Sequence, residues 1–363
     1  MITQFNNLNF NIIIVAYVIL IFAIIFLSLF LSKLCVILEK RTKLSEATIG
    51  VILLGITTSF PELITCLSSI FIKPNNGFIA LGDIIGSNLF DLFVLACCLL
   101  WLFIRKQNKK IDKSNFINLI CMLSNTIFCF LACVLHNHFT YVNNFNFFTI
   151  CFLAIFLINT YFLMKNNKNS SKSIQNFYPN KQIKITFFNN CSLWIVILST
   201  ILISILLIGC SYFLTIFAVK INDFLHLDNT FGGAILLGII TSLPEVITCI
   251  SLTKYNCYNM LIGNIVGSIN FNFTILFFTN VLLSIIYNNE MFIFFDNQEN
   301  KNISWQIIFL TIQSFFAFLY ASINIKKGIT KYKKLLLNSS KCISLTLVSS
   351  CYLAFILIGC LFN

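Results

Sequence analysis

Two stretches decide the fold of this chain: GVILLGITTSFPELITCLS at residues 50–68 and GAILLGIITSLPEVITCIS at residues 233–251. They are identical at 14 of 19 positions. The match resumes downstream, in GDIIGSNLFD at 82–91 and GNIVGSINFN at 263–272, whereas the rest of the two halves is unrelated. The chain therefore contains an internal repeat, and each copy places a Pro-Glu pair inside an apolar segment.

The composition predicts an all-α integral membrane protein. The chain has 363 residues, of which 58% are hydrophobic and only 10% charged, and its mean hydropathy is +0.90. Soluble domains carry roughly 25% charged residues. The longest polar stretch, 165–190, is too short and too polar to form a soluble core. The first apolar run, 11–32, lacks a basic start and a cleavage signature, so we interpret it as a span rather than a signal peptide.

The net charge of +12 does not indicate a nucleic-acid partner, because the basic residues fall between apolar runs with no soluble platform behind them. The partners expected are metal cations as substrates and the lipid bilayer. The sequence leaves the oligomeric state open.

Apolar runs near the ~20 residues that cross a bilayer predict ten spans. Their approximate bounds are 11–32, 46–72, 78–104, 116–136, 145–164, 191–219, 230–252, 257–287, 305–323 and 342–361. With this count, 21 of the 24 Lys and Arg residues fall on one side of the membrane. The other side holds only Lys73, Lys220 and Lys301. Basic loops stay in the cytoplasm, so both termini are expected outside it.

The span count predicts that the two repeats run in opposite directions. The first copy covers spans 2 and 3 and the second covers spans 7 and 8, which is an odd offset of five. We therefore predict two inverted five-helix repeats, 1–164 and 191–363, joined by a basic cytoplasmic linker at 165–190. Secondary transporters with inverted repeats place their binding site near the midplane, where the repeats meet.

The repeated segments carry the features of a cation site. Pro61 and Pro244 predict broken helices 2 and 7, with carbonyls near Thr57 and Ile240 freed from helical hydrogen bonds. A plain proline kink is the alternative.

An intramembrane carboxylate costs roughly 2.5–3.5 kcal/mol to insert, so Glu62 and Glu245 indicate function. A bound cation could neutralise them. A protonated glutamate in a polar core is the alternative interpretation.

Nearby side chains supply further oxygens. Thr58 and Ser59 precede Glu62, and Thr241 and Ser242 precede Glu245. Helical spacing predicts two polar stripes, Asp83, Ser87 and Asp91 in span 3 and Asn264, Ser268 and Asn272 in span 8. A cage without His or Cys suits hard cations such as Ca²⁺ and Na⁺. The 15 cysteines are interpreted as packing residues, since none lies in a zinc-type pattern.

Two further glycine patterns accompany the stripes. Gly82 with Gly86 and Gly263 with Gly267 form G-x-x-x-G pairs that would let helices approach closely.

The motifs TTSFPE (57–62) and ITSLPE (240–245), each followed by a GxxxGS segment, resemble the alpha-1 and alpha-2 repeats of the cation/calcium antiporter family. This family includes sodium/calcium exchangers, and the compact chain resembles its prokaryotic members. The alpha motifs would span 50–93 and 233–275. A multi-pass location in a bacterial inner membrane follows from this resemblance.

The resemblance implies roles for individual residues. Glu62 and Glu245 would be the central calcium ligands, completed by the carbonyls of Thr58 and Thr241. Asp91 and Asn272 would be paired polar positions beside the central site. The flanking sodium sites would be lined by hydroxyls and by backbone near two glycines, namely Ser59, Ser87, Ser242, Ser268, Gly55 and Gly238.

Several positions depart from the family pattern. The pair Asp91 and Asn272 is reversed, since prokaryotic exchangers carry Asn first and Asp second. Asp83 stands where Asn is usual, and could add a fourth carboxylate near the outer entrance. Ile269 replaces the Asn expected after Ser268. These changes leave Na⁺ and H⁺ as alternative coupling ions.

We therefore expect a secondary antiporter that exchanges Ca²⁺ for Na⁺ by alternating access, with spans 1 and 6 as the sliding gate that the resemblance implies. It would be neither an enzyme nor the holder of a bound cofactor. The sequence has no P-loop, so ATP-driven pumping is not expected. The alternatives are a H⁺-coupled cation exchanger on the same fold, a channel, and a structural membrane protein with a degenerate site.

Overall fold

The protein is described from a computed structural model. The structure describes residues 10–42, 44–72, 77–105, 110–135, 147–170, 191–225, 238–287, 300–325 and 331–362. Every regular element in these ranges is helical. The elements are α1 (Phe10–Arg41), α2 (Glu46–Thr48), a π-helical segment (Ile49–Gly55), α3 (Ile56–Thr58), α4 (Phe60–Ile72), α5 (Gly77–Ile104), α6 (Lys113–Leu135), α7 (Phe147–Ser170), α8 (Leu193–Leu225), α9 (Gly238–Thr241), α10 (Leu243–Tyr255), α11 (Tyr258–Tyr287), α12 (Asn300–Ile325) and α13 (Lys331–Phe362).

Eight helices in the described ranges are long and apolar enough to cross a membrane, and α7 contains a shorter apolar stretch, Ile150–Phe162. The all-helical membrane architecture is therefore confirmed. The count of ten spans stays a prediction, since the first part of the predicted span 230–252 lies outside the described residues, as does most of the linker 165–190.

Two helices extend well beyond the predicted spans. Helix α1 continues to Arg41, so Lys33, Lys40 and Arg41, expected in a loop after residue 32, lie on a helix. Helix α13 begins at Lys331, eleven residues before the predicted start at 342. Hydropathy marks only the part of a helix that matches the hydrocarbon core, and helical hydrogen bonding can continue past it.

Local chemistry explains two of the helix boundaries. Ser45 begins α2 as an N-cap, with its hydroxyl accepting from Thr48 N at 3.2 Å. Asn256 ends α10 in the left-handed conformation, with φ of 58°, and so allows the short connection to α11.

Helix α11 lies at the centre of the described structure, and it packs against the π-helical segment, α5, α6, α7 and α10. Helices α1 and α8 pack on each other and touch the broken segments on their inner side. Their outer faces present large apolar side chains, among them Val15, Ile19, Phe22, Trp194 and Leu198. Exposed side chains of this kind fit a lipid-facing surface.

The predicted helix breaks are present, but they lie at serines and not at the prolines. Ser59 separates α3 from α4 with φ/ψ of −88°/6°, and Ser242 separates α9 from α10 with −81°/5°. Pro61 and Pro244 are each the second residue of the helix that follows, where a missing N–H costs nothing. Each proline therefore begins a half-helix rather than kinking a continuous one.

A close backbone contact holds the first broken segment against α11. A Cβ added to Gly55 would lie 2.9 Å from Ser268 N, and one added to Gly267 would lie 2.7 Å from Val51 Cα. Gly50 and Gly263 face each other in the same way. The predicted close approach of Gly263 and Gly267 is confirmed, and that of Gly82 and Gly86 stays a prediction.

Candidate cation-binding site

The two repeated glutamates occupy equivalent places at the start of half-helices. Glu62 lies in the first turn of α4 and Glu245 in the first turn of α10. The N-terminus of a helix carries a partial positive charge, which favours a nearby carboxylate. The break lies between Thr58 and Glu62, and between Thr241 and Glu245, so each threonine and its glutamate lie on different helices.

Four buried carboxylates accept hydroxyl hydrogen bonds, and every donor comes from the opposite half of the sequence. The contacts are Thr241 Oγ1 to Asp83 Oδ1 at 3.2 Å, Ser242 Oγ to Glu62 Oε1 at 3.4 Å, Ser59 Oγ to Glu245 Oε1 at 3.3 Å and Ser268 Oγ to Asp91 Oδ2 at 3.2 Å. The structure thus joins eight of the predicted site residues into one polar cluster between the two halves.

Asp91 and Glu245 are connected by a chain of two hydroxyls. Ser268 contacts Asp91, Ser59 contacts Glu245, and the two serine oxygens are 2.7 Å apart. The three contacts share only two hydroxyl protons, and Ser59 Oγ also lies 2.9 Å from Gly55 O. The cluster therefore has more acceptors than donors.

The second oxygen of each carboxylate is buried and accepts no hydrogen bond from the described residues. These atoms are Glu62 Oε2, Asp83 Oδ2, Asp91 Oδ1 and Glu245 Oε2. All four side chains are 0% exposed, and no Lys or Arg in the described ranges donates a hydrogen bond to them. Buried carboxylates without a partner are costly unless a cation or proton neutralises them.

The cluster does not form a metal site from carboxylates alone. In the part of the chain that the structure describes, no three His, Cys, Asp or Glu side chains are grouped to hold a metal ion. A cation bound here would also need hydroxyl, amide and carbonyl oxygens. Hard cations accept such mixed oxygen ligands.

The structure gives Asn272 and Asn264 hydrogen-bond partners that the sequence did not predict. Asn272 Nδ2 donates to Asn88 Oδ1 at 2.9 Å, and Asn272 Oδ1 is left without a partner among the described residues. Asn88 had not been singled out, although it is the Asn of the G-x-x-x-G-S-N segment for which the second half carries Ile269. Asn264, the residue equivalent to Asp83, donates from Nδ2 to Thr248 Oγ1 at 3.0 Å, within the second half.

Two predicted residues are buried nearby, but their hydroxyls donate to backbone carbonyls three or four residues earlier in the chain. Ser87 Oγ donates to Ile84 O at 3.1 Å, and Thr58 Oγ1 donates to Leu54 O at 2.9 Å. Thr58 also interacts with Glu245, and Thr241 interacts with Glu62, so each threonine faces the glutamate of the other half.

Comparison with protein families gives a match across both halves. The profile of the family described as "Sodium/calcium exchanger protein" matches residues 12–165 and 192–361. No curated protein matches the chain significantly.

Among solved structures, 14 chains match. The sodium-calcium exchanger NCX_Mj soaked with 100 mM Na⁺ and 10 mM Sr²⁺ has a TM-score of 0.60 at 19% identity, covering 93% of this chain and 99% of that one. NCX_Mj soaked with 2.5 mM Na⁺ and 0.1 mM Ca²⁺ gives 0.57 at 20% identity, covering 92% and 96%. NCX_Mj in zero Na⁺ and Ca²⁺ gives 0.52 at 20% identity, covering 92% and 98%. At these identities the likeness shows a shared fold.

Proposed function

Because this chain belongs to the sodium/calcium exchanger protein family, whose profile covers both of its halves, we propose that it is a secondary antiporter that exchanges Ca²⁺ for Na⁺. It is a transporter by family, and the cations are its substrates. Transport would proceed by alternating access, with no bound cofactor.

The unpartnered oxygens of the four buried carboxylates are the observation that carries this proposal. Hydroxyl donors contact one oxygen of each carboxylate and leave the other free. Entering cations would supply the positive charge that the described protein groups do not provide. The mixture of carboxylate, hydroxyl and amide oxygens suits Ca²⁺ and Na⁺.

In this proposal Glu62 and Glu245 hold Ca²⁺ between the two half-helices, with the carbonyls of Thr58 and Thr241 as further ligands. Asp91 and Asn272 flank this position. The sodium positions use hydroxyls and backbone from both halves, namely Ser59, Ser87, Ser242, Ser268, Gly55 and Gly238.

The proposed architecture is two inverted five-helix halves, 1–164 and 191–363, with both termini outside the cytoplasm of a bacterial cell. The reciprocal contacts of Ser59 with Glu245 and of Ser242 with Glu62 support it. When equivalent residues exchange equivalent contacts, the two units are related by a twofold axis. A twofold axis relates either parallel or inverted repeats, and the odd offset of five predicted spans favours inverted ones.

Helices α1 and α8 would form the moving gate. They pack on each other, are largely exposed on their outer faces, and contact the broken segments on the inner side. Ser32 of α1 lies 2.6 Å from Ser251 of α10, the half-helix that carries Glu245. A displacement of the α1–α8 pair would therefore change the surroundings of the proposed calcium position.

A H⁺-coupled Ca²⁺ exchanger on the same fold is the second candidate. The hydroxyl chain between Asp91 and Glu245 favours it, because that chain has one proton fewer than its contacts can use. A proton entering the chain would complete it without a metal.

The test is ⁴⁵Ca²⁺ uptake into proteoliposomes that contain the full-length protein, with an imposed Na⁺ gradient, an imposed pH gradient, or neither. Uptake driven by the Na⁺ gradient is expected. Uptake driven only by the pH gradient would select the H⁺-coupled exchanger. An absence of uptake with either gradient would refute calcium exchange.

A further inference from the structure

Asp83 stands apart from the other three carboxylates of the site. Among the described carboxylates it interacts electrostatically with Glu62, whereas Glu62, Asp91 and Glu245 all interact with one another. Asp83 and Asp91 are eight residues apart on α5, which is roughly 12 Å along a helix. Because side chains of one helix lean in the same direction, these two carboxylates do not converge on one point. A single cation therefore cannot serve both.

Side chains from two other segments, Thr241 of α9 and Glu62 of α4, interact with Asp83. Asp83 Oδ1 accepts from Thr241 Oγ1 at 3.2 Å, and Asp83 Oδ2 is buried without a partner among the described residues. Glu62 Oε2 on α4 is unpartnered in the same way. The side chain of Asp83 is 0% exposed, so solvent does not satisfy the free oxygen.

The equivalent position in the other half carries no charge. Asn264 occupies it, and its amide donates to Thr248 Oγ1 at 3.0 Å within the same half. Cys249 Sγ lies 3.5 Å from the same amide nitrogen. Of this pair of equivalent positions, only the first, Asp83, carries a carboxylate.

An ionised Asp83 needs its own counter-charge. One Ca²⁺ between Glu62 and Glu245 balances those two carboxylates and supplies no charge for Asp83. The Thr241 hydroxyl is neutral, and a hydrogen bond from a neutral group does not offset the cost of a buried charge. One monovalent cation would balance one carboxylate.

We infer that Asp83, with Thr241 and Glu62, forms an additional cation position that takes a hard monovalent cation such as Na⁺. This position is distinct from the divalent position between Glu62 and Glu245, and in taking that pair as the divalent position the inference rests on the proposed function. The position belongs to the first half only, since Asn264 replaces the carboxylate in the second.

The test compares wild type, Asp83→Asn and the control Asp112→Asn as purified full-length proteins. Asp112→Asn makes the same carboxylate-to-amide change outside the site. Equilibrium ⁴⁵Ca²⁺ binding is measured against increasing Na⁺, with choline keeping the ionic strength constant. In Asp83→Asn the Hill coefficient for displacement of Ca²⁺ by Na⁺ is expected to fall by about one, while Ca²⁺ affinity without Na⁺ stays within about threefold.

Three results would overturn the inference. In the first, the Na⁺ dependence of Asp83→Asn equals that of the wild type. In the second, Ca²⁺ affinity without Na⁺ collapses as in Glu62→Gln, which would make Asp83 part of the divalent position. In the third, the pH dependence changes while the Na⁺ dependence does not, which would make the occupant a proton.

Thermal unfolding with Na⁺ and without Ca²⁺ separates this inference from the proposed function and checks that the variants fold. Na⁺ is expected to stabilise wild type and Asp112→Asn more than Asp83→Asn. If wild type neither binds nor transports Ca²⁺, calcium exchange fails, while this Na⁺ effect still reports on Asp83. If wild type binds Ca²⁺ and Na⁺ stabilises all three proteins equally, the inference fails and calcium exchange stands.

Discussion

Ser59 Oγ lies 3.3 Å from Glu245 Oε1, although 186 positions separate the two residues in the sequence. The equivalent pair, Ser242 and Glu62, makes the same contact at 3.4 Å. Each glutamate is thus contacted by the serine at which the opposite helix is broken. Each copy of the repeated T-S-x-P-E segment therefore supplies a hydroxyl to the glutamate of the other copy.

The first prediction concerns the charge of the two glutamates. Glu62→Gln and Glu245→Gln keep the side-chain shape but remove the negative charge that a divalent cation would need. Each is expected to reduce Ca²⁺ uptake by at least about 100-fold, in line with the loss of about 3 kcal/mol or more when a buried charged ligand is removed. Proteoliposome ⁴⁵Ca²⁺ uptake measures this.

The matched control for these changes is Glu39→Gln. Glu39 is also buried, at 7% exposure, but lies on α1 outside the cluster. Uptake by this variant is expected to stay near that of the wild type. If Glu62→Gln and Glu245→Gln also take up Ca²⁺ at the wild-type rate, these two glutamates are not the calcium ligands. If neither the wild type nor any variant takes up Ca²⁺, the protein is a structural relative with a degenerate site.

The second prediction compares the effects of removing the hydroxyls of Ser59 and Ser242. Ser59 contacts Glu245, Ser268 and Gly55 O, whereas Ser242 interacts with the carboxylates of Glu62 and Asp91. Each change removes one hydroxyl donor, but Ser59→Ala also breaks the hydroxyl chain between Glu245 and Asp91. A buried polar group left without a partner costs about 1–3 kcal/mol. The apparent affinity for Ca²⁺ in uptake is therefore expected to fall further in Ser59→Ala than in Ser242→Ala. Equal losses would show that the hydroxyl chain does not contribute.

The sequence predicted which residues form the site but not which of them contact each other across the two halves. The repeat located Glu62, Glu245 and the two polar stripes, since intramembrane carboxylates are rare enough to stand out. It could not tell which residues meet across the halves, because a duplicated segment looks the same whichever partner it faces. Asn88 was missed for a related reason: its importance comes from Asn272, on a helix distant in the sequence.

The positions of the helix breaks and of the π-helical segment were harder to predict from the sequence. Pro61 and Pro244 indicated an interruption, yet the break falls at the serines because a proline fits the first turn of a helix. The π-helical segment Ile49–Gly55 has no marker in an apolar run of Ile, Leu and Val. It forms where the chain meets Gly263 and Gly267 of α11, which is a property of the packed structure.

The third prediction tests that packing. In Gly55→Ala the new methyl would lie 2.9 Å from Ser268 N and 3.0 Å from Asn264 O, both backbone atoms that cannot move aside cheaply. Overpacking of this kind costs about 1–3 kcal/mol, so a lower unfolding temperature is expected. Thermal unfolding in detergent, followed by the loss of the monomer peak in size-exclusion chromatography, measures the change.

Gly209 provides the control for this glycine. It lies within α8, and an added Cβ would meet nothing within 4 Å. Alanine favours a helix over glycine by about 1 kcal/mol, so Gly209→Ala is expected to match or exceed the wild-type unfolding temperature. A similar loss of stability in both variants would contradict the close approach at Gly55.

The last prediction concerns the contact between α1 and α10. Ser32 Oγ and Ser251 Oγ are 2.6 Å apart in a buried position, and this contact must break if α1 slides past the half-helix that carries Glu245. Removing it should change the balance between the two access states without touching a proposed ligand. Ser32→Ala is therefore expected to change the maximal rate of Ca²⁺ uptake, while equilibrium Ca²⁺ binding stays within about threefold.

Ser251→Ala and the double variant complete a mutant cycle, in which the double change should equal either single change if the hydroxyls act only on each other. Additive effects on the rate, or a loss of Ca²⁺ binding equal to the loss of rate, would show that this contact does not control the movement of α1.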